Sequence, residues 1–177
     1  MAYRHQISII GSRSLGGESL ALVAALSTRL VDEGYRIVTG GLGTLPNAVH
    51  QGAISSSSYT GGDTIALLPG FEPEPALGHA DIIIPTGLDI ARNALVANGD
   101  AVIAIGGGAG TLSEIAFAWQ MNRPIISLGS GGWSEKLAGE TIDQRFPEKT
   151  IIYCESIDAV IETLANELKA DYRRHNR

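Results

Sequence analysis

The sequence predicts an α/β fold: a Rossmann-like, doubly wound and mainly parallel sheet with helices on both faces. Short apolar runs rich in β-branched residues alternate with longer segments of helical periodicity, and glycine follows several of these runs. With 177 residues, 44% of them hydrophobic and 18% charged, the chain is long enough to bury a substantial core. We therefore expect one domain that spans residues 1–177.

The same alternation gives the order of the elements. Seven apolar runs bounded by Gly, Pro or Asp are predicted strands, at residues 6–10, 36–39, 63–68, 81–84, 101–105, 124–128 and 151–154. Five periodic segments are predicted helices, at residues 18–33, 45–54, 89–98, 111–121 and 156–175. Gly34 is positioned to end the first helix, and Ser156 to cap the last one. Residues 69–80 are expected to form a surface loop, and residues 129–150 a loop or short helical insertion beside the ligand site.

Net charge and the rare residue types exclude several functions. A formal net charge of −6 argues against a nucleic-acid or anionic-membrane partner, because both require a basic surface. No run reaches the ~20 apolar residues of a membrane helix, and the N-terminus lacks a signal-peptide pattern. The single cysteine, Cys154, cannot form an internal disulfide, so we expect a cytoplasmic protein in which Cys154 is buried. The four histidines show no paired spacing, and no metal site is predicted.

The strongest functional signal is the segment 101–114, where an apolar strand runs through glycines into a helix. The free N–H groups at a helix start carry partial positive charge and bind anions, most often phosphate. Glycines let the backbone turn sharply and approach the ligand. The predicted binding residues of this segment are Gly107, Gly108, Gly110 and Thr111.

Glycines also follow the first and second predicted strands. The carboxyl ends of parallel strands meet at one edge of the sheet, so these segments are expected to join the same pocket and to contribute Gly11, Ser12, Gly40, Gly41, Gly43 and Thr44. Taken alone, the glycine-serine pair after the first strand is equally compatible with a tight turn. The chain lacks both the full dinucleotide fingerprint and the Gly-Lys-Ser/Thr of a triphosphate loop, which favours a monophosphate ester as ligand.

Two charged residues are candidates for further ligand contacts. Arg92 lies in the first turns of the predicted helix 89–98, whose other face is apolar, and a guanidinium there can donate a forked pair of hydrogen bonds to phosphate or carboxylate. Glu114 follows the glycine-rich segment by one turn and can receive a ligand hydroxyl or pair with Arg92. The alternative is a carboxylate that only complements the helix dipole.

The predicted helix 111–121 is apolar almost all round, and such a helix is usually covered on both sides. We therefore expect the chain to self-associate through this helix, with Phe117 or Trp119 among the buried contacts.

The stretch from Gly107 to Glu114, with Arg92 upstream, resembles the proline-glycine-glycine-x-glycine-threonine-x-x-glutamate signature of the lysine decarboxylase-like Rossmann proteins. These include the LONELY GUY cytokinin-activating phosphoribohydrolases, and the resemblance extends from about residue 7 to about residue 128. It implies that the glycine-threonine segment holds the 5′-phosphate of a nucleoside monophosphate. It also implies that Arg92 and Glu114 act at the ribose as the catalytic residues of an enzyme that cleaves the N-glycosidic bond.

Two departures make the chain more similar to a related subfamily, the molybdenum-cofactor carrier proteins. Gly106 replaces the proline that opens the signature, and Asn93 stands where the hydrolases have lysine. This resemblance implies a homo-oligomer, dimer or tetramer, that binds molybdenum cofactor without catalytic residues and passes it to molybdenum enzymes. The cofactor is also a phosphate monoester of a planar heterocycle, so the same pocket, including Arg92, Asn93 and Glu114, would serve it. The hydrolase of nucleoside monophosphates remains the alternative.

Overall fold

The computed structural model describes residues 3–129 and 131–169. Within these residues the strands are β1 (Gln6–Gly11), β2 (Arg36–Thr39), β3 (Thr64–Leu68), β4 (Ile82–Pro85), β5 (Ala101–Ile105), β6 (Ile125–Leu128) and β7 (Ile152–Cys154). The helices are α1 (Gly17–Asp32), α2 (Leu45–Ile54), α3 (Asn93–Val96), α4 (Ala109–Gln120), α5 (Gly132–Lys136) and α6 (Ile157–Glu167), with 3₁₀ turns at Glu74–Ala76 and Asp89–Arg92.

The strands form a seven-stranded sheet in the order β4-β3-β2-β1-β5-β6-β7, and every neighbouring pair is parallel. The predicted doubly wound α/β fold is thus confirmed, and each predicted strand agrees with the structure to within one residue at either end. Strand order reverses between β1 and β5, which places the topological switch point at their carboxyl ends. The segments that carry the strongest glycine signals therefore meet at this edge.

The sheet separates two apolar clusters. Residues of α1, α2 and α6 pack on one face of β1 and β5, and residues of α3 and α4 pack on the other. The central strand β5 is buried at all five positions, as its near-continuous apolar sequence predicts for a strand covered on both faces.

The prediction of one continuous helix over residues 89–98 is wrong. The structure has a 3₁₀ turn followed by the four-residue helix α3, because Gly87 and Asp89 take left-handed backbone angles (φ 65° and 49°) that redirect the chain. Ile90, on the apolar face of the predicted helix, is 79% exposed. The segment ends where Gly99 passes so close to Ser8 that a Cβ at Gly99 would lie 2.4 Å from Oγ. The chain therefore enters β5 without completing a longer helix.

The helix signals read from local sequence are confirmed elsewhere. Ser156 caps α6 by accepting a hydrogen bond from the backbone N–H of Ala159 (3.2 Å), and Gly34 follows α1 with φ 83°. The last predicted helix extends to residue 175, and residues 170–175 lie outside the described part of the chain. Cys154 is buried as expected. Among the described residues, no helix is long and apolar enough to cross a membrane, and no group of three or more His, Cys, Asp or Glu is arranged to hold a metal ion.

Candidate functional site

A cavity of about 600 Å³ opens at the switch point, between the ends of β1, β2 and β5 and the start of α4. Nine of the predicted binding residues line it: Gly11, Ser12, Gly40, Arg92, Asn93, Gly108, Gly110, Thr111 and Glu114. Sequence segments more than 90 residues apart therefore form one pocket, as the geometry of a parallel sheet predicts.

The start of α4 presents the unpaired backbone groups that an anion requires. The helix begins at Ala109, two residues earlier than predicted, and its N-cap Gly108 has no side chain to satisfy them. The N–H groups from Gly108 to Thr111 donate to no acceptor among the described residues. A Cβ at Gly110 would meet no atom within 4 Å, so this first turn faces open space. The arrangement is that of an anion-binding helix terminus.

Hydrogen bonds between the end of β1 and the β5–α4 turn hold this terminus in place. The backbone N–H of Gly107 donates to Ser12 Oγ at 2.8 Å, and Thr111 Oγ1 donates to the carbonyl of Gly11 at 3.0 Å. Gly11 itself has no room for a side chain, because a Cβ would lie 2.4 Å from the carbonyl oxygen of Ile105. The Thr111 hydroxyl proton thus stabilises the site, and its oxygen retains acceptor capacity only.

A second support comes from α5, in the region predicted as a loop or short insertion. The backbone N–H of Gly106 donates to Ser134 Oγ at 2.7 Å, and the backbone N–H groups of Trp133 and Ser134 donate to the carbonyls of Gly107 and Gly106. A Cβ at Gly132 would lie 2.5 Å from the Gly107 backbone. Sequence reasoning placed this segment beside the site but did not identify Ser134 as the group that fixes the glycine turn.

Arg92 and Glu114 form a buried pair at the cavity wall. Arg92 Nη1 lies 3.8 Å from Glu114 Oε1, and their side chains are only 9% and 10% exposed. Arg92 Nε is buried with no hydrogen-bond partner among the described residues. The predicted pairing is therefore present, but at 3.8 Å it leaves donors of the guanidinium unused.

Burial controls the protonation of this pair. Desolvation raises the pKa of the Glu114 carboxyl to about 7, and the positive charge of Arg92 offsets part of that rise. Desolvation also lowers the pKa of Arg92, against the opposing effect of Glu114. Because both groups lose hydration, the pair is poised to interact with a polar ligand that supplies the missing hydrogen bonds.

Gly40 makes space for this arginine. A Cβ at Gly40 would lie 2.3 Å from Arg92 Nη1 and 3.2 Å from Cζ. The guanidinium therefore passes directly over the backbone at the end of β2. Asn93, next along the chain, donates from Nδ2 to Ser113 Oγ at 2.9 Å and so links this segment to α4.

Four predicted site residues do not line the cavity, and each has a structural role. Gly41 faces Leu68, and Gly43 packs so tightly on Arg13 that a Cβ would lie 2.1 Å from its carbonyl oxygen. Thr44 Oγ1 accepts a hydrogen bond from the backbone N–H of Leu15 at 3.1 Å. Gly107 adopts φ 105° in the turn that Ser12 and α5 hold. These residues connect the loops after β1 and β2, and they support the pocket from outside its lining.

Sequence reasoning missed most of the apolar wall. The additional lining residues are Ile9, Ile10, Arg13, Leu42, Leu45, Pro46, Pro69, Asp89 and Ile90. Most are ordinary apolar residues, for which no local pattern distinguishes a pocket wall from a core position. Arg13, two residues after β1 and exposed, was detectable from its position beside the predicted Gly11-Ser12 turn.

The fold and this site define a doubly wound α/β protein with an anion-type helix terminus, a buried Arg-Glu pair and an apolar wall at its switch point. The chain belongs to the SLOG cluster4 family, whose model matches residues 4–161. It is 34% identical over 124 residues to an uncharacterized protein of Archaeoglobus fulgidus, a match that covers 70% of this chain and 79% of the relative.

Two solved structures have closely similar folds. The molybdenum cofactor binding protein from the phototrophic bacterium Rippkaea orientalis is 28% identical and superposes with a TM-score of 0.78, covering 94% of this chain and 98% of that chain. The Moco carrier protein from Chlamydomonas reinhardtii is 25% identical with a TM-score of 0.75, covering 94% and 99%. The similarity to the molybdenum-cofactor carrier proteins that the motif predicted is confirmed.

Proposed function

We propose that this chain binds and carries molybdenum cofactor in the switch-point cavity. The observation that carries the proposal is the start of α4, whose unpaired N–H groups from Gly108 to Thr111 face the same cavity as an apolar wall. A phosphate monoester of a planar heterocycle has the matching chemistry at its two ends. The two solved proteins of similar fold, described above, are named for binding or carrying this cofactor.

In this proposal, different lining residues bind the phosphate and the rest of the cofactor. The α4 terminus and Ser12 hold the phosphate. Arg92, whose buried Nε lacks a partner, and Glu114 contact hydrogen-bonding groups of the ligand, and Asn93 positions this wall through Ser113. The remaining predicted glycines and Thr44 set the shape of the loops. When bound, the cofactor would supply the redox chemistry of its metal, and this chain would supply binding, orientation and exclusion of water.

Two matched substitutions of Gly110, one charged and one neutral, test whether the start of α4 holds the phosphate. Gly110→Asp places a carboxylate beside the phosphate, and Gly110→Asn is its neutral match in size; both fit because the position is open and has no left-handed φ. Two unit charges 4 Å apart repel by about 4 kcal/mol at an effective dielectric constant of ~20. We therefore expect affinity to fall at least about 100-fold for Gly110→Asp, and much less for Gly110→Asn.

The measurement is the molybdenum and pterin content of protein purified from a host that makes the cofactor, together with binding of cofactor released from a molybdenum enzyme. Wild type that retains neither and binds none would contradict the carrier function. Equal content in wild type and folded Gly110→Asp would leave the function standing but move the phosphate elsewhere in the cavity.

The hydrolase remains the second candidate, and the buried Arg92-Glu114 pair favours it. With a pKa of about 7, Glu114 can exchange a proton near neutral pH, as a general acid or base must. Release of adenine from adenosine 5′-monophosphate, compared between wild type and Glu114→Gln, distinguishes the two functions. Strong hydrolysis that Glu114→Gln abolishes, without cofactor binding, would establish the enzyme; we expect little release, because Asn93 supplies no positive charge beside Arg92.

Three finer features complete the proposal. The carrier acts in the cytoplasm, as its single buried cysteine favours. It passes the cofactor to molybdenum enzymes, which are its protein partners. It works as a homo-oligomer, a dimer or a tetramer.

A further inference from the structure

A second cavity, of about 530 Å³, opens at the edge of the sheet opposite the switch point. Its lining includes Pro124, which precedes β6, and Ile152, which begins β7, so the cavity lies at the amino ends of these parallel strands. Residues 145–150, Asn122 and Glu167 at the end of α6 complete the lining. The proposed cofactor function gives this cavity no role.

Lys149, which lines this cavity, holds its amino group against the end of α4. Nζ donates to the carbonyl oxygen of Arg123 at 2.7 Å, and Asn122 Oδ1 is a second acceptor at 3.4 Å. Among the described residues, these two oxygens are the hydrogen-bond acceptors of Nζ. A lysine nitrogen has three positions besides its bond to Cε, so one position stays unused. It carries a proton in the ammonium form and the lone pair in the neutral amine.

Two aromatic rings lie beside the same amine. Nζ is 5.1 Å from the centre of the Trp119 ring and 5.3 Å from the centre of the Phe146 ring, and the two rings meet edge to face. Trp119, expected in a contact between copies of the chain, is only 1% exposed because Phe146 of the same chain covers it. The rings attract a cation, but they also keep water away from it.

The loss of water changes the charge state of this amine. Burial lowers the pKa of Lys149 from 10.5 to about 8; the negative charge of Glu167 opposes the change, and the positive charge of Arg123 adds to it. Arg145 and Glu148, also on the lining, have opposite charges. At pH 7.5, about a quarter of a group with this pKa is neutral, compared with about 0.1% of an ordinary lysine. Lys149 is therefore a nucleophile near neutral pH.

We propose that Lys149 is an acylation site, at which the neutral amine reacts with a small acyl phosphate that enters the second cavity. Nζ attacks the carbonyl carbon, the C–N bond of an amide forms, and the C–O bond to the phosphate breaks. The amine proton leaves with the phosphate. Because the amide is uncharged, acylation also removes the cation from the two rings and from the negative end of the α4 dipole.

The geometry favours a small donor. An enzyme that acylates lysine has to enclose an extended side chain, whereas Lys149 lies against its own protein with two hydrogen bonds. A cavity of about 530 Å³ admits a molecule the size of acetyl phosphate without rearrangement. Arg145 attracts the phosphate group, but Glu148 and Glu167 on the same lining offset that attraction. The reactivity of the amine, rather than tight binding of the donor, therefore selects Lys149.

The test is acetylation of the full chain by acetyl phosphate, measured at each lysine by mass spectrometry. The sequence has three lysines, and the exposed Lys136 and Lys169 serve as references in the same tube. The larger neutral fraction of Lys149 outweighs the lower nucleophilicity of a less basic nitrogen. We therefore expect its initial acetylation at pH 7.5 to be at least about 5-fold faster than that of either reference. Its rate should level off above pH ~8.

Phe146→Ala separates reactivity from exposure. Removal of the ring opens the cavity and returns water to the amine, so the pKa of Lys149 should rise and its acetylation at pH 7.5 should slow at least about 3-fold. A lysine that reacted only because it was accessible would react equally fast or faster in this variant. Circular dichroism checks that the variant folds, and the comparison of lysines in wild type does not depend on it.

Three results would overturn the proposal: acetylation of Lys149 no faster than that of Lys136 and Lys169, a rate at Lys149 that keeps rising to pH 10, or faster acetylation in folded Phe146→Ala. Because the assay contains no molybdenum cofactor, its outcome is independent of the proposed cofactor function.

Discussion

Substitution of Gly40 by alanine should displace Arg92 without unfolding the protein. An ideal Cβ at Gly40 would lie 2.3 Å from Arg92 Nη1, which is too close for two non-bonded atoms. The backbone of Gly40 has no left-handed φ, and the conflict is with the end of a flexible side chain. The methyl group is therefore accommodated by movement of the guanidinium away from the cavity wall.

The size of the effect follows from the bonds that the guanidinium makes. A hydrogen bond that involves a charged group contributes about 1.5–3 kcal/mol, so the affinity for molybdenum cofactor should fall about 10- to 150-fold in Gly40→Ala. A second effect requires no ligand. Since the charge of Arg92 holds down the pKa of Glu114, displacement of that charge should raise the Glu114 pKa above about 7.

A double-mutant cycle makes this reasoning specific. Cofactor binding is compared among wild type, Gly40→Ala, Arg92→Ala and the double variant, and the Glu114 carboxyl is titrated by NMR. In the Arg92→Ala background, Gly40→Ala should add less than about 0.5 kcal/mol, because the methyl no longer displaces anything. Gly17→Ala, where a Cβ meets nothing within 4 Å, is the control. The displacement of Arg92 is refuted if Gly40→Ala binds the cofactor with wild-type affinity. It is also refuted if the full loss of affinity caused by Gly40→Ala persists in the Arg92→Ala background.

Three further predictions concern stability. The folded-state pKa of Glu114, about 7, exceeds its reference value of 4.5, so the stability it gives wild type is fully present below pH ~4.5 and is lost as the pH rises through 7. Glu114→Gln should therefore gain up to about 3 kcal/mol relative to wild type between pH 5 and pH 8 in urea unfolding, and parallel pH profiles would contradict this. Ser134→Ala leaves the buried N–H of Gly106 unpaired and should cost about 1–3 kcal/mol and weaken cofactor binding; unchanged unfolding and binding would show that the bond is dispensable. Ser156→Ala removes the α6 N-cap and should cost about 1 kcal/mol without changing binding, so a binding defect would count against a purely structural role.

The sequence determined the features that depend on neighbours along the chain. Apolar runs define β-strands through local conformational preference and burial on both faces, and the strands from β1 to β7 were predictable for that reason. Glycines followed by a helix start predict an anion site for the same local reason, and Gly108, Gly110 and Thr111 line the cavity at the switch point. The edge on which the segments meet follows from parallel strand order alone.

Only the tertiary structure decided which of the predicted residues line the cavity. Gly41, Gly43 and Thr44 carry the same local signal as Gly40, but they contact loop neighbours from other parts of the chain instead of the cavity. The space for Arg92 over Gly40, the support of Gly106 by Ser134 and the cover that Phe146 gives Trp119 all join residues at least 27 positions apart. Such contacts depend on how the sheet twists and the helices pack, which no local pattern encodes. The sequence therefore specified which chemical groups lie near this edge of the sheet, and tertiary packing determined which of them line the cavity.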